Sequence, residues 1–188
     1  MLRRTALLLV LITISISSRT HAQSKDNSPE WKALQFLIGQ WEGVEYGKSD
    51  TGTGVRSYSP VLDQRFLYVR NVSRMGSEKD SLGEGKEDWS FFSWDKYREK
   101  VIFRQFQEQG FVYYYVLDSM SADRKTMTFT TERIENVPNG WVARTTFIFN
   151  DNDHFTEIFE LSPAMMSFDK YLEKYWTRKK LEGDNVTN

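Results

Sequence analysis

From Gly39 onward the chain breaks into ten short runs of alternating or continuously apolar residues, most of them set off by a turn-forming stretch. The runs are residues 40–46, 54–59, 65–74, 87–94, 100–107, 111–118, 126–133, 141–149, 155–161 and 171–178. A period of two puts successive side chains on opposite faces of a strand, whereas a helix repeats every 3.6 residues or so. The separators carry the residues that tight turns need: Gly47 to Gly52, Glu108-Gln109-Gly110, Asp118 to Asp123, Pro138-Asn139-Gly140 and Asn150 to Asp153. Connections this short join antiparallel neighbours, because parallel pairing needs a long crossover. A meander of ten such strands leaves two unpaired edges unless it closes on itself. The predicted fold is therefore all-β, an antiparallel up-and-down barrel of about ten strands, with a two-sheet sandwich as its rival.

One segment before the strands has helical spacing. Residues 31–38 place apolar side chains at Trp31, Ala33, Leu34, Leu37 and Ile38. Ser28 is placed to cap this helix, Pro29 suits its first position, and Gly39 ends it. The first 22 residues differ again. Arg3 and Arg4 precede a run of about 11 apolar residues, too short to span a bilayer core needing about 20. Thr20-His21-Ala22 suits a signal peptidase. The expected organisation is a signal peptide over 1–22, a loose polar leader over 23–30, the barrel over 31–180 and a polar tail over 181–188. The expected location is outside the cytoplasm, periplasmic or secreted.

Charge and cysteine content limit the chemistry. The formal net charge of −1 becomes −4 once a leader carrying three arginines and no acid is removed. A mildly acidic surface offers no general attraction for nucleic acid or anionic lipid. The expected partner is a small hydrophobic or amphipathic molecule, without nucleic acid and, after leader cleavage, without membrane. No cysteine is present, which removes disulfides, thiol nucleophiles and thiolate-held metals. His154 is the one histidine beyond the leader. It follows Asn150-Asp151-Asn152-Asp153 and reads as a turn residue. A calcium loop counted from Asp151 fails, because Thr156 and Ser162 stand where glycine and an acid are required. No metal site and no cofactor are expected. Asn71-Val72-Ser73 and Asn185-Val186-Thr187 match glycosylation acceptors.

Phe36-Leu37-Ile38-Gly39-Gln40-Trp41-Glu42-Gly43 carries a resemblance. A short helix, Gly39-x-Trp41 at the start of the first strand, a meander, and Arg178 in a late aromatic strand are similar to the calycin superfamily of lipocalins, fatty-acid-binding proteins and nitrobindin-like barrels. Within it the chain most resembles a bacterial lipocalin-like group near the nitrobindin-like barrels. The resemblance implies that Trp41 plugs one end of the barrel and that Arg178 packs across it, a structural closure by cation–π attraction. It also implies a ligand in the lumen. Nitrobindin-like barrels hold haem through a His near the start of the last strand. Here Ser167-Phe168-Asp169-Lys170 occupy that region, with Tyr171 the nearest alternative donor, so haem is disfavoured.

Strand parity nominates the lining. Glu157 shares a face with Phe155, Phe159 and Leu161, so an inward Glu157 is either a ligand contact, a general acid or base with raised pKa, or the structural partner of an arginine. Gln105 lies on the Val101–Phe103 face. Tyr113 and Tyr115 combine an apolar body with a hydroxyl that could orient a ligand, and Trp89 and Trp176 are further candidates for the wall. Gln105, Tyr113, Tyr115, Glu157, Trp89 and Trp176 are thus the expected ligand-binding set, with no catalytic residue assigned. Two alternatives remain open. The inward polar residues could catalyse a reaction. Or the chain could be a structural or interaction protein that forms a homodimer, because 111–117 is apolar on both faces.

Overall fold

The computed structural model describes residues 28–48, 50–76, 85–164 and 166–180. The expected signal peptide, most of the leader, the polar tail and Asn185 lie outside the described residues. The chain begins with α1 (Pro29–Leu34), continued by a single 3-10 turn over Gln35–Leu37. Ser28 Oγ accepts from the Trp31 amide at 3.0 Å, and Pro29 needs no partner for a missing N–H. The tightening at Gln35 shortens the helix below the predicted extent.

Ten strands follow: β1 (Gly39–Gly47), β2 (Thr51–Val61), β3 (Phe66–Gly76), β4 (Gly85–Asp95), β5 (Lys100–Gln107), β6 (Val112–Met120), β7 (Thr126–Glu135), β8 (Val142–Phe149), β9 (His154–Ser162) and β10 (Asp169–Arg178). Each pairs antiparallel with its sequence neighbours, and β1 also pairs with β10, closing the barrel. The closing seam runs from Trp41 opposite Arg178 to Gly47 opposite Leu172. Closure removes the edges that a ten-strand open sheet would expose, so the sandwich is excluded. Each predicted strand is present, and several run one to three residues further, as β2 does through Pro60 to Val61. Register shifts at Tyr114/Tyr115 and Leu117/Ser119 in β6–β7, and at Lys170/Leu172 in β9–β10, bend the sheet.

One end of the barrel is sealed. Trp31, Leu34 and Leu37 from the helical segment are buried against the strands. Trp41 donates its indole N–H to Leu37 O at 2.8 Å and meets Phe155 edge-on at 4.7 Å. The Arg178 guanidinium lies 4.2 Å from the Trp41 ring and donates to Phe36 O and Ile38 O at 2.7 and 2.8 Å. Its charge thus caps carbonyls at the C-terminal end of the helical segment. Gly39, with φ of +126°, turns the chain from this segment into β1.

Candidate functional site

The lumen has two unlike walls. The first comes from β4 to β8. Phe92, Phe103, Phe129 and Phe147 project inward and pack at centroid distances of 4.3 to 6.2 Å. Within this wall a column of near-parallel rings climbs toward the open end. Phe92 stacks on Phe103 at 4.3 Å, Phe103 on Tyr115 at 5.1 Å, and Tyr115 on Tyr113 at 5.7 Å. Tyr113 meets Phe159 edge-on at 6.0 Å, and Tyr171, half exposed on the rim, meets the other side of this cluster through Phe159. Gln105 faces inward beside Tyr113 and Ser90, only partly buried.

The second wall comes from β1, β2, β3, β9 and β10, and is charged. Arg56 is 6% exposed and Glu157 is 6% exposed, and their side chains meet at 2.7 Å. Arg56 also donates to Asn71 Oδ1 at 2.9 Å and to the Tyr58 hydroxyl at 3.1 Å. Asn71 donates to Ser73 Oγ at 2.9 Å, which donates to Glu45 Oε1 at 2.7 Å. Glu45 stands 3.5 Å from Lys174 Nζ. Trp176 completes the wall. Its indole N–H reaches Glu157 Oε2 at 3.2 Å, and the Arg56 guanidinium lies 4.3 Å from its ring. A Cβ on Gly43 would sit 2.7 Å from the Trp176 ring, and one on Gly54 would sit 2.8 Å from it. The two glycines are therefore the floor on which the indole lies.

Burial sets the protonation states. Desolvation pushes the Glu157 carboxyl upward, but the charges of Arg56 and Lys174 and the hydrogen bonds from Arg56 and Trp176 outweigh it, leaving the pKa below the usual value. Burial likewise works against the Arg56 charge, and Glu157 and Tyr58 more than restore it. The Tyr58 phenol is pushed up to about 12, by burial first. Burial raises Tyr113 to about 12, with Asp88 and Tyr171 adding to it, and holds Tyr115 well above the ordinary phenol value. Asp88 faces the lumen beside Asn71, and desolvation raises its pKa.

Of the residues nominated from sequence, Gln105, Tyr113, Tyr115, Glu157 and Trp176 face the lumen. Trp89 does not. It is 52% exposed on the outer surface of β4, edge-on to Tyr68 and donating to Glu87 at 2.6 Å. Its inward neighbours are Asp88 and Ser90, so the parity of β4 excludes it from the wall. Glu157 takes the arginine-paired option, and its lowered pKa is opposite to what a general acid requires. His154 is the first residue of β9, exposed beside Asp151 of the preceding turn at 2.8 Å. Asn71 is 3% exposed inside the barrel, so the folded chain does not present that glycosylation acceptor. The outer face of β6 is partly covered by its own neighbour, since Arg133 of β7 lies 4.4 Å from the Tyr114 ring. A haem does not fit residues 167–171, which hold no histidine and place Tyr171 half exposed on the rim.

Of the charged wall only Glu157 and Trp176 were nominated; Glu45, Arg56, Asn71 and Lys174 were not, although a signal for some of them existed. If Trp41 points inward, Gly43 and Glu45 must follow it. If Arg178 points inward, so do Trp176 and Lys174. On β2 hydrophobicity misleads, because Val55 is 51% exposed while Arg56 is buried.

No family model and no curated protein sequence matches this chain. Among solved structures it is similar to Rv2717c from M. tuberculosis, at 16% identity over 82% of this chain and 100% of that one, with a TM-score of 0.64. It is also similar to the S-type phycobiliprotein lyase CPES from Guillardia theta, at 10% identity over 80% of this chain and 93% of that one, with a TM-score of 0.52. At such identities the likeness is one of fold alone, a closed antiparallel barrel.

Proposed function

We propose that this chain is an exported lipocalin-like barrel, of the bacterial kind near the nitrobindin-like barrels, that takes a small, mostly apolar molecule into its lumen. The observation that supports this most is an inward apolar face left partly buried at the end away from the helix. At the helix-capped end Leu34, Leu37, Trp41 and Phe155 are fully buried, with Ala33, Phe36 and Ile38 half-buried around them. Toward the other end, inward-facing Gln105, Ile134, Phe159 and Leu161 stay only partly buried. Apolar groups left partly wet at the mouth of a closed barrel are stabilised by an apolar guest. The wall beneath them is close-packed aromatic surface.

Two measurements test this reading. Native mass spectrometry of protein purified without detergent would show a retained small molecule. The neutral probe phenylnaphthylamine would gain fluorescence on binding, and Gln105→Trp, which narrows the mouth, would weaken it by about tenfold. Absence of both a retained molecule and a probe signal would refute luminal binding.

A further inference from the structure

Two hydroxyls in the lumen have no hydrogen-bond partner among the described residues. Tyr115 is 0% exposed and Thr145 is 2% exposed, and neither Tyr115 Oη nor Thr145 Oγ1 is bonded to any described atom. Buried polar atoms are nearly always satisfied, so an orphaned pair asks for a missing partner. Both residues face the same lumen, on β6 and β8, which are separated only by β7. Phe159, half-buried, is the register partner of Thr145 and the edge-on neighbour of Tyr113.

The charges beside them point to the nature of that partner. Arg56 is engaged by Glu157 and Lys174 by Glu45. An anionic guest could recruit either cation only by leaving its carboxylate buried and unpaired, which is unfavourable. A cationic guest would have Asp88 to approach, but it would meet Arg56 and Lys174, both of which act electrostatically on that carboxyl. The ring column from Phe92 through Phe103 and Tyr115 to Tyr113 supplies shape. Its flat faces favour a flat guest beside them.

We propose that the lumen selects an electrically neutral, flat aromatic molecule bearing a hydroxyl or carbonyl, whose polar atom is taken by Tyr115 and Thr145. This rests on the luminal-binding reading above and narrows it. A hydroxyl can donate or accept, so two of them match either ligand group.

The test compares naphthol, naphthalene, naphthoate and naphthylmethylammonium as displacers of phenylnaphthylamine from the purified protein. Naphthol should bind about tenfold more tightly than the other three. Tyr115→Phe and Thr145→Val should each reduce that preference severalfold and leave naphthalene unchanged, while Thr145→Ser, which keeps the hydroxyl, should retain it. Phe and Val preserve the packed volume, and thermal unfolding of each variant checks that the barrel is intact. Naphthoate or naphthylmethylammonium binding as tightly as naphthol would overturn neutral selection. A naphthol preference unchanged in both variants would show that water alone satisfies these hydroxyls, and would overturn their role. Failure of every probe, phenylnaphthylamine included, would instead remove luminal binding itself and this inference with it.

Discussion

The two walls of the lumen are buried to the same degree but by opposite means. On β4 to β8 the interior is aromatic, and its cohesion comes from dispersion and from water exclusion, neither of which requires a particular partner. On β1, β2, β3, β9 and β10 it is ionic, and every group depends on a named neighbour. Arg56 needs Glu157, Asn71 and Tyr58; Glu45 needs Ser73 and Lys174. Taking two charges out of water costs more than a buried pair usually returns, so this wall contributes little net stability. We attribute to it a different role: it fixes the register of strands far apart in sequence and keeps the floor of the lumen neutral overall. The aromatic wall provides the adhesion, and the charged wall restricts what can adhere.

Double substitutions separate the two walls most sharply. Arg56→Met should cost about 3–5 kcal/mol by leaving the Glu157 charge buried and unpaired, and Arg56→Met/Glu157→Gln should recover most of that loss in urea unfolding. In the aromatic wall Phe92→Ala should cost about 3–5 kcal/mol, and adding Phe103→Ala should deepen the loss. If the Arg56 double variant is no better than the single one, the walls are held by the same physics and the comparison fails. Gly54→Ala comes next. Its Cβ would press on Trp176 and Glu45, so a loss of about 1–3 kcal/mol is expected, with a changed Trp emission as the local readout.

The smallest effects concern pH, and the two acids act in opposite directions. Glu157 has a folded pKa below its ordinary 4.5. Its contribution is therefore complete above that value and is lost as pH falls through the lower folded pKa. Asp88 has a folded pKa above its ordinary 3.8. Its ionisation costs stability as pH rises from that value through the higher folded pKa. Asp88→Asn should raise the melting temperature slightly at neutral pH, and the gain should vanish below pH 3.8. A gain that persists in acid would show that packing rather than charge is responsible.

Much of the architecture was legible because it is written locally. Period-two alternation and turn residues give ten strands, and Ser28-Pro29 starts the helix where its side chain and ring require. The candidate site was half legible, and what was missed lies on the charged wall, where only Glu157 and Trp176 were nominated. Tyr113, Tyr115 and Gln105 sit on strands whose apolar residues reveal the inward face. Arg56 and Asn71 sit on strands where the inward face is polar, so a rule that sends apolar residues inside points the wrong way. Trp89 fails for the same reason, as a large ring on the solvent side of β4.

The sequence by itself determined that this chain would be strands joined by tight turns behind one short helix, because those preferences are set by neighbours a few residues apart. It also favoured a closed sheet over its two-sheet rival, since closure leaves no strand edge unpaired. Only the tertiary structure decided which charges meet. Arg56 and Glu157 lie 101 residues apart and come together because β1 pairs with β10. The pairing energy of two charges depends on the low-dielectric space between them, and that space exists only once the barrel has closed.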